Sequence, residues 1–268
     1  MSPRDTLSPP LLQQGGLSAL FGSFPPELAR RARAYLLQNQ PIPLAEQFRL
    51  FTRLHHLRNR LRYDAVTDPW DVIWVDPTEV TQYTTAVELP WGLGRVAGGD
   101  WDQPKHRGEI RKLARYRGLV QRFVDGREWE ETVYYEDLRA RYGDGPVPRG
   151  FDDFESFWAD RRESHEQLYE SMREDGYRPN HLTNRDPQTW GEYVHSLEPL
   201  LGIGRHGELL WNEGYGRLIV ASILGVEEIP VYVLCRHEQW QRTRATVVSE
   251  GAVEVDSLAE HPDLRDCL

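Results

Sequence analysis

Residues Glu208–Cys235, reading ELLWNEGYGRLIVASILGVEEIPVYVLC, constrain this chain more than any other stretch. They spell a strand, a glycine turn, a short helix and a second strand. Glu208–Trp211 is a short strand-like run, and Asn212-Glu213-Gly214-Tyr215-Gly216 is a turn with two glycines. Leu218, Ile219, Ala221, Ile223 and Leu224 form an apolar helical face, which Gly225 ends as a glycine just past a helix does. Ile229–Cys235 is a continuous apolar run suited to a buried strand. The turn therefore delivers a strand to a helix amino end. Free backbone N–H groups, the positive end of the helix dipole and Arg217 would converge there, which describes an anion site, most often for phosphate. Glu213, Gly214, Tyr215, Gly216 and Arg217 are the candidate binding residues.

A second motif is Gly99-Asp100-Trp101-Asp102, after a strand-like run at 95–98. Two carboxylates one residue apart can hold a hydrated Mg²⁺ or serve as a base. Asp100 and Asp102 are thus candidate metal ligands. With His237, which follows the Ile229–Cys235 strand, they are also the candidate catalytic groups. The plainer readings are a turn capped by Asp100, a histidine that only hydrogen-bonds, and a Glu213 that merely favours the helix dipole. Gly202–Gly207 matches G-x-G-x-x-G literally but runs into a strand, so a dinucleotide fingerprint is not expected. The chain has no Gly-x-Ser-x-Gly, His-Glu-x-x-His or paired Cys-x-x-Cys motif, so serine hydrolase, zincin and zinc-ribbon readings have no basis.

The series Gly214, Arg217, Ala221, Gly225 and Ile229-Pro230-Val231 resembles the ParB/sulfiredoxin fold family. That family carries Gly-x-x-Arg on the first turn of a helix, then Ala and Gly, then an Ile-Pro-Val strand. Gly216 stands where the commonest family form has His or Arg. Gly-Gly-Asp-Trp-Asp, Trp129–Thr132 and Arg236-His237-x-x-Trp240-Gln241 are similar to motifs of one group within this fold, extending the resemblance over residues 70–242. The resemblance implies an α/β (α+β) fold with a small mixed sheet, a large helical insert and an N-terminal helical appendage. It also implies a nucleotide at the glycine loop, as with CTP in partition proteins, ATP in sulfiredoxin and a nucleotide in a free-serine kinase. For this chain the implied cofactors are ATP or CTP with Mg²⁺, and the implied reaction is phosphotransfer or nucleotidase chemistry on a small molecule. A ParB-like DNA-associated protein or nuclease and a noncatalytic protein-interaction module are the alternatives. The sulfiredoxin reaction is not expected, because that family has a cysteine in the loop where this chain has Tyr215 and Gly216.

Along the chain, residues 1–63 read as a loose tail and helical appendage, 64–245 as the main domain with a helical insert at 105–178, and 246–268 as a C-terminal tail. In the appendage, one helix is expected at 26–39. Another, at 44–62, places Phe48, Phe51, Leu54, Leu57 and Leu61 on one side and arginines on the other, a surface for packing or for a protein partner. A strand is expected at 71–75, pairing with the later strands, and the segment 192–203 also reads as strand. His261-Pro262-Asp263 reads as a turn. The net charge of −10 disfavours nucleic acid, since that binding depends on neutralising phosphates. About 25 residues after the core leave no room for a helix-turn-helix domain. Two isolated cysteines suit a reducing compartment, and no signal-peptide pattern or long apolar run occurs. A cytoplasmic protein off the membrane is expected.

Overall fold

The computed structural model describes residues 43–148, 150–183, 187–250, 258 and 260–267; the helix expected at 26–39 lies outside them. The chain begins with α1 (Leu44–Arg62), followed by the short strands β1 (Ile73–Val75), β2 (Gln82–Thr84), β3 (Arg95–Ala97) and β4 (Arg107–Glu109). Helices α2 (Ala114–Phe123), α3 (Val133–Tyr142), α4 (Phe154–Asp175) and α5 (Trp190–Ser196) come next. The strand–helix–strand unit then supplies β5 (Leu200–Ile203), β6 (Leu209–Glu213), α6 (Tyr215–Leu224) and β7 (Ile229–His237), and α7 (Glu238–Glu250) follows directly. The expected mixed α/β class holds.

One seven-stranded sheet runs β1-β7-β5-β6-β2-β4, with β3 also on β7. β7 is its axis, because all nine of its residues are buried. One edge of β7 pairs parallel with β5; the other pairs antiparallel with β1 and then parallel with β3. The expected pairing of the 71–75 region with 229–235 is therefore present. Successive β7 side chains serve opposite faces, as strand geometry requires. Val231 and Val233 join a core with Trp211, Leu218, Phe157 and Trp158, beneath α6 and the 105–178 helices. Tyr232 and Leu234 join Phe48, Leu93, Tyr193 and Leu200 on the other side. Phe48 of α1 thus shares the core of the sheet, so this helix is integral to the domain.

Three local expectations change. The segment 192–203 is a helix before it is a strand: the Thr189 hydroxyl accepts from Glu192 N–H at 3.2 Å, an N-cap, and β5 begins only at Leu200. β2 and β4 join the sheet unforeseen, because both are three residues long and half exposed. The side of α1 expected to carry Phe48, Leu54, Leu57 and Leu61 together is split: Phe48 is buried, whereas Leu54, Leu57 and Leu61 are exposed.

Candidate functional site

The glycine turn lies where β6 ends beside the start of β5, as the pairing Leu200↔Glu213 shows. Gly214 has φ +84°, and a Cβ there would lie 2.9 Å from the Pro199 side chain, so the position needs glycine twice over. Its carbonyl accepts the first helical bond, from Leu218 N–H at 3.2 Å. Tyr215, Gly216 and Arg217 supply the amides of the first turn, which have no helical acceptor. Glu213 caps the turn, its Oε1 accepting from Gly214 N–H at 3.0 Å.

Arg217 turns inward rather than facing solvent. Its Nη2 donates to Leu197 O at 2.7 Å and its Nη1 to Glu198 Oε2 at 3.4 Å. The Glu198 carboxylate is fully buried and gathers further donors: the Tyr177 hydroxyl at 3.3 Å, His181 N–H at 2.8 Å and His181 Nδ1 at 2.7 Å. In the neutral ring, a carboxylate on Nδ1 fixes that nitrogen as the donor and leaves Nε2 as the acceptor. The His181 ring is partly exposed. Burial, reinforced by the Glu198 charge against that of Arg217, pushes the Tyr177 phenol up. Tyr215 packs edge-on against Tyr83 with ring centres 6.0 Å apart, and burial pushes its phenol up too, so its side chain serves packing.

The Gly99–Asp102 motif lies at the other end of the sheet, where β3, β5 and β7 end together. Asp102 is fully buried, and both its oxygens are taken by Arg205: backbone N–H at 2.8 Å, Nε at 3.0 Å to Oδ2 and Nη2 at 2.7 Å to Oδ1. Burial works to raise the Asp102 carboxyl, but the Arg205 bonds outweigh it and bring the pKa to about 2. Arg205 Nη2 also reaches Gly99 O at 2.9 Å and Asp100 Oδ1 at 3.1 Å. His237 bonds Gly99 O through Nε2 at 3.0 Å and accepts Gln239 N–H on Nδ1 at 3.1 Å, which uses both ring nitrogens. These groups border an open cavity of about 310 Å³ lined by Gly99, Asp100, Arg205, His237 and Arg242. Arg236 and Trp240 of the neighbouring motif hold fully buried Asp263, Arg236 Nη2 at 2.6 Å and Trp240 Nε1 at 2.8 Å. The expected turn at His261–Asp263 is thereby locked into the core.

The candidate binding residues Gly214–Arg217 and the candidate metal ligands Asp100 and Asp102 do not share a pocket. Glu198, which Arg217 bonds, precedes β5, Arg205, which bonds Asp102, follows it, and the four-residue strand alone spans about 10 Å. Asp100 and Asp102 do not fit a Mg²⁺ ion as a pair either, because the Arg205 guanidinium occupies both Asp102 oxygens and bonds Asp100 Oδ1 as well. Among the described residues no three His, Cys, Asp or Glu side chains are grouped to hold a metal ion. Sequence reasoning passed over Glu198, His181, Tyr177 and Arg205. Only Arg205 carried a signal, as the lone long side chain in a glycine-rich turn. No family model, curated protein or solved structure matches the chain. Among the described residues no helix is long and apolar enough to cross a membrane.

Proposed function

We propose that the chain binds a nucleotide by its phosphates at the amino end of α6, with His181 as the proton-accepting group of the site. One observation carries this reading: a single buried carboxylate, Glu198, holds both His181 and Arg217 at the first turn of α6, whose amides have no helical acceptor. The amides and Arg217 suit phosphate oxygens, which accept charge-assisted bonds from both. The Glu198–His181 pair has the form of a general base oriented by a carboxylate. In the step proposed, a hydroxyl or water oxygen attacks the terminal phosphorus as its proton passes to His181 Nε2. The bridging oxygen leaves with its electron pair toward the amides and Arg217. Asp100, Asp102 and His237 take no part in this step.

ATP, ADP, CTP and GTP, each with and without Mg²⁺, are screened by thermal shift, since a ligand bound only by the folded chain raises its melting temperature. A rise with at least one nucleotide is expected, and absence of any rise removes the binding reading. Phosphate release by His181→Asn is expected to fall about 100-fold at unchanged nucleotide affinity, within the usual range for losing a general base. Unchanged release would remove His181 from the reaction and leave binding standing.

A further inference from the structure

Helix α1 is built inside out. Its buried residues are Phe48, Thr52, His55 and Asn59, three of them polar. Each polar group is matched to the loop before β3: the Thr52 hydroxyl accepts from Leu93 N–H at 2.9 Å, His55 Nε2 meets Trp91 O at 2.9 Å, and Asn59 Nδ2 donates to Gly94 O at 2.7 Å. Desolvation lowers the His55 pKa to about 4, so the ring is neutral and Nε2 donates. On the opposite side stand Leu50, Leu54, Leu57 and Leu61, from 39% to 82% exposed. Their spacing of four, three and four residues makes one straight stripe, the seam of a coiled coil rather than a broad apolar face.

The stripe is flanked by Arg53, Arg58 and Arg60, and among the described residues none of the three forms an ion pair. The helix as a whole carries five arginines and one glutamate in a chain of net charge −10. Such flanks repel a second copy of α1. They also repel the chain's own 26–39 segment, which has Arg30, Arg31 and Arg33 against Glu27. An anionic membrane would call for a broad apolar face, and this stripe is only the width of a seam. From the leucine seam and its unpaired arginines we infer that α1 docks an amphipathic helix of another protein, one with leucine-type residues on its seam and acidic residues beside it. Flanking charges set partner choice in such helix pairs, which is why the arginines identify the partner's chemistry.

The test uses the full chain and two synthetic 21-residue helices with leucine at the seam, one flanked by glutamate and one by lysine, read by fluorescence anisotropy. The glutamate peptide is expected to bind at least about tenfold tighter than the lysine peptide, an advantage that shrinks with salt. Leu57→Glu is expected to abolish binding with little change in melting temperature, because Leu57 is 59% exposed and belongs to neither core cluster. A double Arg53→Glu, Arg58→Glu variant should reverse the preference. Equal binding of both peptides, binding of neither, or no reversal overturns the inference. It is also overturned by a dimer that Leu57→Glu disperses, by peptide binding that appears only after removal of residues 1–42, or by sedimentation with phosphatidylserine vesicles that Leu57→Glu prevents.

Discussion

The two ends of the sheet are built from the same parts. Each has a glycine at positive φ, Gly214 at +84° and Gly99 at +86°. Each has a fully buried carboxylate, Glu198 or Asp102, with an arginine and a histidine beside it. They differ in what is left over. At the Asp102 end the Arg205 fork fills both oxygens and His237 uses both nitrogens. At the Glu198 end one carboxylate is divided among Tyr177, His181 and Arg217, and among the described residues none bonds His181 Nε2 or the first-turn amides of α6. A charged motif whose bonds are all internal contributes to folding. Chemistry needs groups that the fold holds in place without saturating them.

The largest effect that tests this contrast is Asp102→Asn. The substitution takes the charge from a fully buried group but leaves Arg205 with Asp100 and Gly99 O, which puts the cost at the low end of the roughly 3–5 kcal/mol for breaking a buried pair. The variant is expected to lose about 3 kcal/mol in urea denaturation while binding nucleotide as the wild type does. Weakened nucleotide binding at intact stability would reverse the roles of the two ends. The same pair gives a pH signature. The Asp102 carboxyl titrates near 2 in the folded chain against an ordinary 3.8, so its stabilisation is present above about pH 4 and is lost as pH falls through 2. In Asp102→Asn that part of the acid-unfolding curve should flatten.

Next in size is Arg217→Ala, expected to weaken nucleotide binding about 30-fold by calorimetry, as loss of a charge-assisted contact costs about 2 kcal/mol. Arg217→Lys should recover only part, because an ammonium cannot span Leu197 O and a ligand as a guanidinium does. Since Arg217 also neutralises buried Glu198, the alanine variant should be less stable as well. Glu198→Gln with Arg217→Ala should restore stability but not binding, which separates the two roles. The smallest effects compare the glycines. Gly214→Ala meets both an unfavourable φ and Pro199, and should cost about 1.5–2 kcal/mol. Gly99→Ala has open space around its Cβ, and should cost only about 1 kcal/mol for its φ. Equal melting temperatures for the two variants would show that Pro199 yields.

The sequence by itself determined the strand–turn–helix–strand unit at 208–235, because its signals are local: apolar runs of set length, a glycine where φ is positive and a glycine after the helix. It also determined the mixed α/β class and the helical block, through periodicity. It could not show that Arg205 rather than a ligand would claim Asp102, since those residues are 103 positions apart and meet only when β3, β5 and β7 align. Nor could it show that Glu198 would bind His181 and Arg217, or that Asp263 would be drawn into the core by Arg236 and Trp240. On α1 the sequence groups Phe48 with Leu54, Leu57 and Leu61 as one surface for packing or for a partner, yet the loop at 91–94 brings carbonyl and N–H groups that Thr52, His55 and Asn59 satisfy. Local pattern fixes which elements form. Which polar groups find one another, and which remain open for chemistry, is settled by long-range pairing, because burying a charge or a backbone polar group is tolerable only where its partner arrives.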